Sequence, residues 1–455
     1  MSVTVAACSG GSMPCAVSLL RITGPAALPV LTAVFRAKSG LPPDQWQPRT
    51  MHYGRLLARD GTTLDLCLAA IFRAGHSYTG EDMAEIYIHG SSAVASEGLA
   101  HLYTCGCLPA PAGEFTKRAF LSGRMDLTEA EAAADLIDAR SALAAKAAAA
   151  QLEGAVGGRL RPLRARIAGL LSHFYAVCDY PDEDIEPFQY AKAEQTLSAV
   201  GHELRMLEQS YARGRLAREG IPVAIVGKPN AGKSTLFNAL AGADKAIVTD
   251  EAGTTRDVLE TLIDCGGVPV RMLDTAGLRA AEGTAERIGI ERARTAAQSS
   301  QALLCVFDSS LPLDAQDEET LTLARAHENA VLIINKCDLC PDPQSFAQAM
   351  ENSAEFQTVF FLSAKSGDVA ALVQWLAALA PAPEDILITG ARQAALLGRA
   401  ADALAQAAES ARAGMTADAF LSDAERGLSL LGEITGETAS ADIAAEIFSR
   451  FCVGK

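Results

Sequence analysis

Long apolar runs are missing from this 455-residue chain: hydrophobic residues make up 49% of it, yet no window of about 20 residues is free of charge or breakers. That excludes a membrane-spanning helix and predicts a soluble protein. The first residues, MSVTVAACSGGSMPC, lack the basic stretch and apolar core of a secretory signal, so the cytoplasm is the expected location. Positive charge is in deficit, with 39 Lys and Arg against 55 Asp and Glu and a net charge of −16. Coating nucleic acid by bulk electrostatics needs clustered cations, so any RNA contact must be local. The 11 cysteines are scattered and odd in number, which fits free thiols in a reducing compartment better than a disulfide framework. Cys105-x-Cys107 and Cys337-x-x-Cys340 lack a second ligand pair at zinc spacing. No G-x-G-x-x-G fingerprint follows a strand pattern, and no short repeat is evident.

What is present divides by texture. The length implies two to four domains at about 100 to 200 residues each. Residues 1–120 alternate short apolar runs (AVSLLRI, LCLAAIF, AEIYIHG) with Gly, Pro and Ser clusters, predicting an α+β domain. Residues 121–217 turn to Ala, Leu, Glu and Arg in an amphipathic period, a helical domain. From 218 to 382, β-branched runs (IPVAIVG, PVRMLDTAG, ALLCVFD, AVLIINK) alternate with helical stretches, as in a parallel sheet covered by helices. Helical texture returns over 383–455, so the α/β domain reads as an insertion into a discontinuous helical domain.

Gly227-Lys-Pro-Asn-Ala-Gly232-Lys233-Ser234 matches G-x-x-x-x-G-K-[ST] between the strand PVAIV and the helix TLFNALAG. Glycines let backbone N–H groups converge on phosphates; Lys233 offers a cation to the β- and γ-phosphates, and Ser234 Oγ can ligate Mg²⁺. Asn230, Ala231, Gly232, Lys233, Ser234 and Thr235 are thus candidate nucleotide contacts. Asp274-Thr275-Ala276-Gly277 follows VRML, where a carboxylate can hold the Mg²⁺ shell and the Gly277 N–H can approach the γ-phosphate. Asn335-Lys336-Cys337-Asp338 follows VLII, and the Asp338 carboxylate can accept from the N1–H and N2–H₂ edge of guanine; adenine would leave that acceptor unpaired. Ser363-Ala364-Lys365 can complete the base pocket through backbone N–H groups. Between the first two motifs, the Gly253-to-Asp257 stretch suits a switch loop whose Thr255 hydroxyl completes the Mg²⁺ shell. The four motifs in this order resemble the translation-factor class of GTPases. Where Ras-like enzymes place a water-orienting Gln after D-x-x-G, this chain has Leu278. Glu282, Glu286 and Glu291 are candidates to replace it, and solvated helix faces equally.

KPNAGKSTLFNAL, AIVTDEAGTTRDV, DTAGLR, AERIGIERA and FCVGK, with SYTGEDMAEIYIHG, GEFTKRAF and DYPDEDIE, resemble the MnmE (TrmE) family of tRNA-modification GTPases over nearly the whole chain. The resemblance implies an N-terminal folate-binding-like dimerisation domain, a discontinuous helical domain and an inserted Ras-like P-loop G domain. It adds Thr249, Asp250, Glu251, Ala252, Gly253 and Thr254 to the GTP contacts. It implies K⁺ held by the Asn230 side chain and main-chain groups of Thr249, Glu251 and Thr254, offsetting charge on the phosphates as an arginine finger would. Among the acidic candidates it selects Glu286 as catalytic. It implies a formyl-tetrahydrofolate site at Arg21, Glu85, Arg124 and Lys455, a homodimer, a flavin- and NADH-dependent MnmG-like partner, and tRNA as substrate. The chain departs from the family in ACSGGSMPCA, where a Gly-rich ATPPGRGG-like stretch is usual, at Ser91 after His89-Gly90, and at Arg124, where Lys is usual. Cys452 is expected to be structural or substrate-proximal, because nothing nearby in sequence identifies an activating base.

The rival expectation is a GTPase serving only as a binding switch in ribosome assembly or stress signalling. Such switches usually carry a basic module, and here cations cluster only at Arg159, Arg161, Arg164, Arg166 and at Arg213, Arg215, Arg218, which suit either tRNA contact or a solvated helix face.

Overall fold

The computed structural model describes residues 3–9, 15–243, 261–273, 294–350, 356, 358–382, 385–415, 417–449, 451 and 454. Contacts divide the chain into two compact units. One comprises Met1–Ala134, Leu152–Val200 and Arg399–Lys455; the other comprises Asp135–Gln151 and Gly201–Gly398.

In the first unit, strands β1 (Val5–Ser9), β2 (Cys15–Thr23), β3 (Phe35–Ala37), β4 (His52–Leu57), β5 (Thr63–Phe72), β6 (Met83–Gly90) and β7 (Leu108–Pro109) form one sheet, ordered β3-β4-β5-β6-β2-β1-β7. All neighbours are antiparallel except β1 and β7. The period of two sends Leu20, Ile22, Ala69, Ile71, Ala84, Ile86 and Ile88 to one face, where they pack with Leu28, Leu31 and Leu102 of the helices Ala27–Val34 and Ser92–Thr104. On the other face the register sets Tyr53 opposite Leu68, Leu68 opposite Tyr87, and Tyr87 opposite Leu19. Tyr53, Leu66, Leu68 and Val17 are exposed there. Helices from distant sequence join the same unit through rings: Phe174 of Ala155–Asp179 lies 4.9 Å from Phe188 and 6.0 Å from Phe420 of Ala417–Thr435. Phe448 and Phe451 pack on Leu127 and Ala130.

The second unit is the predicted parallel sheet with helices on both faces. Strands β8 (Ile221–Val226), β9 (Thr261–Cys265), β10 (Val268–Leu273), β11 (Ala302–Asp308), β12 (Ala330–Asn335) and β13 (Val359–Phe361) are ordered β13-β12-β11-β8-β10-β9, and only β9 runs antiparallel to its neighbour. Central β11 is buried along its whole length, as a strand covered on both faces must be. Leu236, Phe237 and Leu240 cover one face with Leu372 and Leu376; Leu321, Ala324 and Ala347 help cover the other.

Residues 135–151, helical in texture as expected, pack against this sheet. Leu143 and Ala147 join its core, and the Leu143 N–H donates to Gly267 O at 3.0 Å. Gln151 Nε2 donates to Thr389 Oγ1 at 2.9 Å, and that hydroxyl donates to Asp135 Oδ2 at 3.2 Å. An Ala-rich amphipathic pattern specifies a helix but not which core receives it.

Burial separates the thiols. It pushes Cys67 up to about 12 and Cys107 up to about 11, whereas Cys15 and Cys178 are exposed. Because the thiolate is the reactive form, native iodoacetamide labelling at pH 8 followed by peptide mass mapping is expected to modify Cys15 and Cys178 at least about tenfold faster than Cys67, Cys107, Cys265 and Cys305.

Candidate functional site

Parallel strands bring their carboxyl ends to one edge, and chain order from β8 runs to β10 on one side and β11 on the other, the topology that opens a ligand crevice. The loop 227–232 leaves β8 there and enters the helix Lys233–Ala243. Gly227 has φ 147°, and a Cβ on it would stand 2.3 Å from Val306 O. Gly232 has φ 99°, and a Cβ on it would stand 2.1 Å from Asn335 Nδ2. Both positions therefore require glycine. Asn230 also takes a left-handed conformation, φ 64°.

The carbonyls of this loop are engaged from inside. Lys233 Nζ donates to Gly227 O and Lys228 O, each at 2.7 Å. Asn335 Nδ2 donates to Ala231 O at 2.8 Å, and Asn335 Oδ1 accepts the Ala364 N–H at 2.9 Å. One buried amide thus joins the end of β12 to the phosphate loop and to the Ser363–Lys365 segment. The Ala364 N–H, expected to face the base, is committed to Asn335. Burial lowers the Lys233 pKa, since desolvation disfavours the ammonium. Ser234 and Thr235 open the helix with exposed side chains.

After Asn335 the backbone turns through Lys336 at φ 62°, which leaves the Asp338 carboxylate exposed beyond the strand end. Lys336 Nζ bonds Asp308 Oδ2 at 2.5 Å. Burial pushes the Asp308 carboxyl upward, but bonds from Lys336 and Ser310 prevail and hold it below the usual carboxylate range. Asp308 escaped the sequence reading, although its place at the end of the apolar run ALLCVF matches that of Asp274 after VRML.

Thr249 through Thr255, Asp274 through Gly277, Glu286, Cys452 and Lys455 lie outside the described residues. In the first unit, Arg21 and Glu85 face each other across β2 and β6 at 2.9 Å. Tyr87 OH donates to Glu85 Oε2 at 2.5 Å, and Arg21 NH1 donates to Gly454 O at 3.3 Å. The Arg21 guanidinium lies 5.7 Å from the Tyr78 ring centroid and 5.5 Å from that of Phe115. Arg124 NH1 bonds Gly75 O at 3.2 Å. Tyr78 and Tyr87 lie within SYTGEDMAEIYIHG and Phe115 within GEFTKRAF, but nothing in those stretches singled out these three rings as partners of Arg21 and Glu85.

Replacing Asn335 with Ala orphans the Ala231 carbonyl and the Ala364 N–H together. At about 1–3 kcal/mol for each unsatisfied buried group, guanine-nucleotide binding measured by calorimetry is expected to weaken by at least about tenfold.

A family profile described as "GTP-binding protein TrmE N-terminus" matches residues 4–124, and one described as "MnmE helical domain" matches residues 127–452. The tRNA modification GTPase MnmE of a Synechococcus species is 39% identical over 444 residues, covering 96% of this chain and 95% of its own. The protein of that name from Heliobacterium modesticaldum is 38% identical over 452 residues, with 96% of each chain covered. That from Acetivibrio thermocellus is 35% identical with 99% of each covered. The solved structure of Aquifex aeolicus Era bound to GDP and AlF4− is 25% identical over 35% of this chain and 56% of its own, with a TM-score of 0.28. Two profiles that follow one another along the sequence, and relatives alike from end to end, place the chain in the MnmE (TrmE) family of tRNA modification GTPases.

Proposed function

We propose that this chain hydrolyses GTP in the cytoplasm. With a flavin- and NADH-dependent MnmG-like partner, it forms the 5-carboxymethylaminomethyl modification at C5 of the wobble uridine of certain tRNAs. The observation that carries the reading is the loop 227–232, whose carbonyls are bonded by Lys233 and Asn335. With those acceptors occupied, the loop offers a phosphate chain its backbone N–H groups, that of Ala231 excepted because it donates to Lys228 O, and the positive end of the helix Lys233–Ala243. Lys233, its ammonium held by the two carbonyls, offers its remaining N–H to β- and γ-phosphate oxygens, and the incoming anion compensates the desolvation that weakens its hold on a proton. Asp338 reads the guanine edge, with Asn335, Lys336, Ser363, Ala364 and Lys365 shaping the pocket beside it.

Hard cations take oxygen donors, and the residues present supply them: the hydroxyls of Ser234 and Thr255 for Mg²⁺, and the Asn230 side chain with main-chain groups of Thr249, Glu251 and Thr254 for K⁺. When bound, these cations offset charge developing on the phosphates. Glu286 orients the attacking water where Leu278 cannot, and Asp274 through Gly277 approach the γ-phosphate. Residues 249–255 complete the nucleotide contacts.

The four-part division at 120, 217 and 382 belongs to this proposal, with residues 1–120 as the folate-binding-like dimerisation domain. Glu85 supplies an acceptor, Arg21 a cation backed by the buried Phe115 ring, and the half-buried Tyr78 an apolar wall, a set that fits a pterin with an anionic tail; Arg124 and Lys455 add cations. A bound formyl-tetrahydrofolate would supply the one-carbon unit. The exposed row of Tyr53, Leu68 and their neighbours on the open sheet face supports a homodimer, because apolar side chains in register favour a partner surface over water.

The test is the steady-state GTPase rate of the purified chain in K⁺ and in Na⁺, with Glu286→Ala beside wild type. The expected result is a K⁺-selective rate that falls about 10²- to 10⁴-fold in the variant while nucleotide binding survives. Equal rates in both salts, or an unaffected variant, would remove those roles and favour the binding switch.

A further inference from the structure

We infer that Lys228 is a positioning residue for nucleotide binding: its buried ammonium, locked between Asp317 and Asp314, fixes the backbone carbonyl that holds Lys233. The inference rests on the GTP-binding reading of the loop 227–232.

Position 228 is unconstrained in the phosphate-loop motif, and a lysine there would ordinarily extend its head into water. Here its side chain is only 7% exposed. Nζ donates to Asp317 Oδ2 at 2.6 Å and to Asp314 Oδ2 at 3.0 Å. The same two carboxylates build the start of the helix Ala315–Arg325. Asp314 Oδ1 accepts the N–H groups of Gln316 and Asp317 at 3.0 and 3.2 Å, and Asp317 Oδ2 accepts the Asp314 N–H at 3.1 Å. This reciprocal capping box makes the anchor rigid before Lys228 reaches it.

At its other end, Lys228 O accepts Lys233 Nζ at 2.7 Å and the Ala231 N–H at 3.3 Å. A single residue thus couples a capped helix to the ammonium meant for phosphate. Asp317 is 2% exposed and sits one lysine away from a loop that must accept a polyanion. Left unpaired, it would be an uncompensated buried charge, and its field in a weakly screened interior would oppose the phosphates. Neither Lys228 nor its carboxylates touches the reacting atoms in this reading, so removing Lys228 should act on binding much more than on turnover at saturation.

The test measures the Kd of a fluorescent GDP analogue, KM and kcat for GTP, and Tm in four proteins: wild type, Lys228→Met, Lys228→Arg and Lys228→Met with Asp317→Asn. Lys228→Met is expected to raise Kd and KM about 10- to 100-fold with kcat within about threefold, because a broken buried pair penalises the ground-state complex and the transition state alike. Lys228→Arg keeps the charge and is expected within about fivefold of wild type, and the double variant, with both charges gone, to recover at least about half of the loss on a logarithmic scale. Binding by Lys228→Met within about twofold of wild type would overturn the inference, as would Lys228→Arg failing as badly as Met. Should Lys228→Met not fold, the Arg variant and the double variant decide: wild-type-like binding in Arg together with partial recovery in the pair supports the role, and failure of either removes it. A wild-type chain that binds no guanine nucleotide would sink the GTP reading itself, a separate outcome.

Discussion

Backbone carbonyls at the turn from β8 into the helix Lys233–Ala243 must find donors, and the rest of the site follows from how they do. A buried acceptor left without a donor is costly, and this turn is too tight for a regular ladder. Lys233 therefore folds back onto Gly227 O and Lys228 O, while Asn335 reaches past β11, from the end of β12, to Ala231 O. Glycine at 227 and 232 is the steric condition for both arrangements, because a Cβ at either position would strike Val306 O or Asn335 Nδ2. The donor face that results is a consequence of carbonyl accounting, with the parallel sheet holding the participating strand ends side by side.

Charge follows the same economy. A chain of net charge −16 that binds a polyanion must manage its own carboxylates locally. At the carboxyl edge of the sheet, Asp308 is closed by Lys336 and Asp317 by Lys228, both carboxylates nearly inaccessible to water. Such pairs add little net stability over apolar packing, but each removes a buried negative charge from the neighbourhood of the phosphate loop. That explains why the site needs few excess cations: the lysines are placed against individual acids, and whole-chain electrostatics is irrelevant at this range because screening confines long-range fields.

Much of this was legible in the sequence, and the limits have physical causes. The strand runs IPVAIV and ALLCVFD and the spacing of Gly227, Gly232 and Lys233 announced a parallel sheet with a phosphate loop, because periodicity and steric demand act locally. Asn335 was placed correctly at a strand end, but its bridge to Ala231 and Ala364 depends on which strands become neighbours, and sequence spacing does not encode that. The helix at 142–152 was equally clear as a helix, whereas its packing on the second sheet through Leu143 and Ala147 was not, since alanine-rich faces suit several partners. Lys228, Asp314 and Asp317 were invisible as a group: two are separated from the first by more than eighty residues, and only the capping spacing of Asp314 to Asp317 could have hinted at their helix start.

The first unit applies the pairing rule to a different end. On the open face of its sheet, Glu85 is almost fully buried, and both of its oxygens are engaged, one by Arg21 and the other by the Tyr87 hydroxyl. Burial, reinforced by the bond to Glu85, pushes the Tyr87 phenol up to about 12, so it stays a donor throughout the physiological range. A neutral donor can be surrendered to an incoming ligand at lower cost than a charged one, because no ion is stranded when the bond is broken. Arg21, braced by the Tyr78 and Phe115 rings and by Gly454 O, is the harder group to displace. In the proposed folate site, the Glu85 oxygen facing Tyr87 would be the one to receive a hydrogen-bond donor of the ligand, with Arg21 as the fixed reference that orients it.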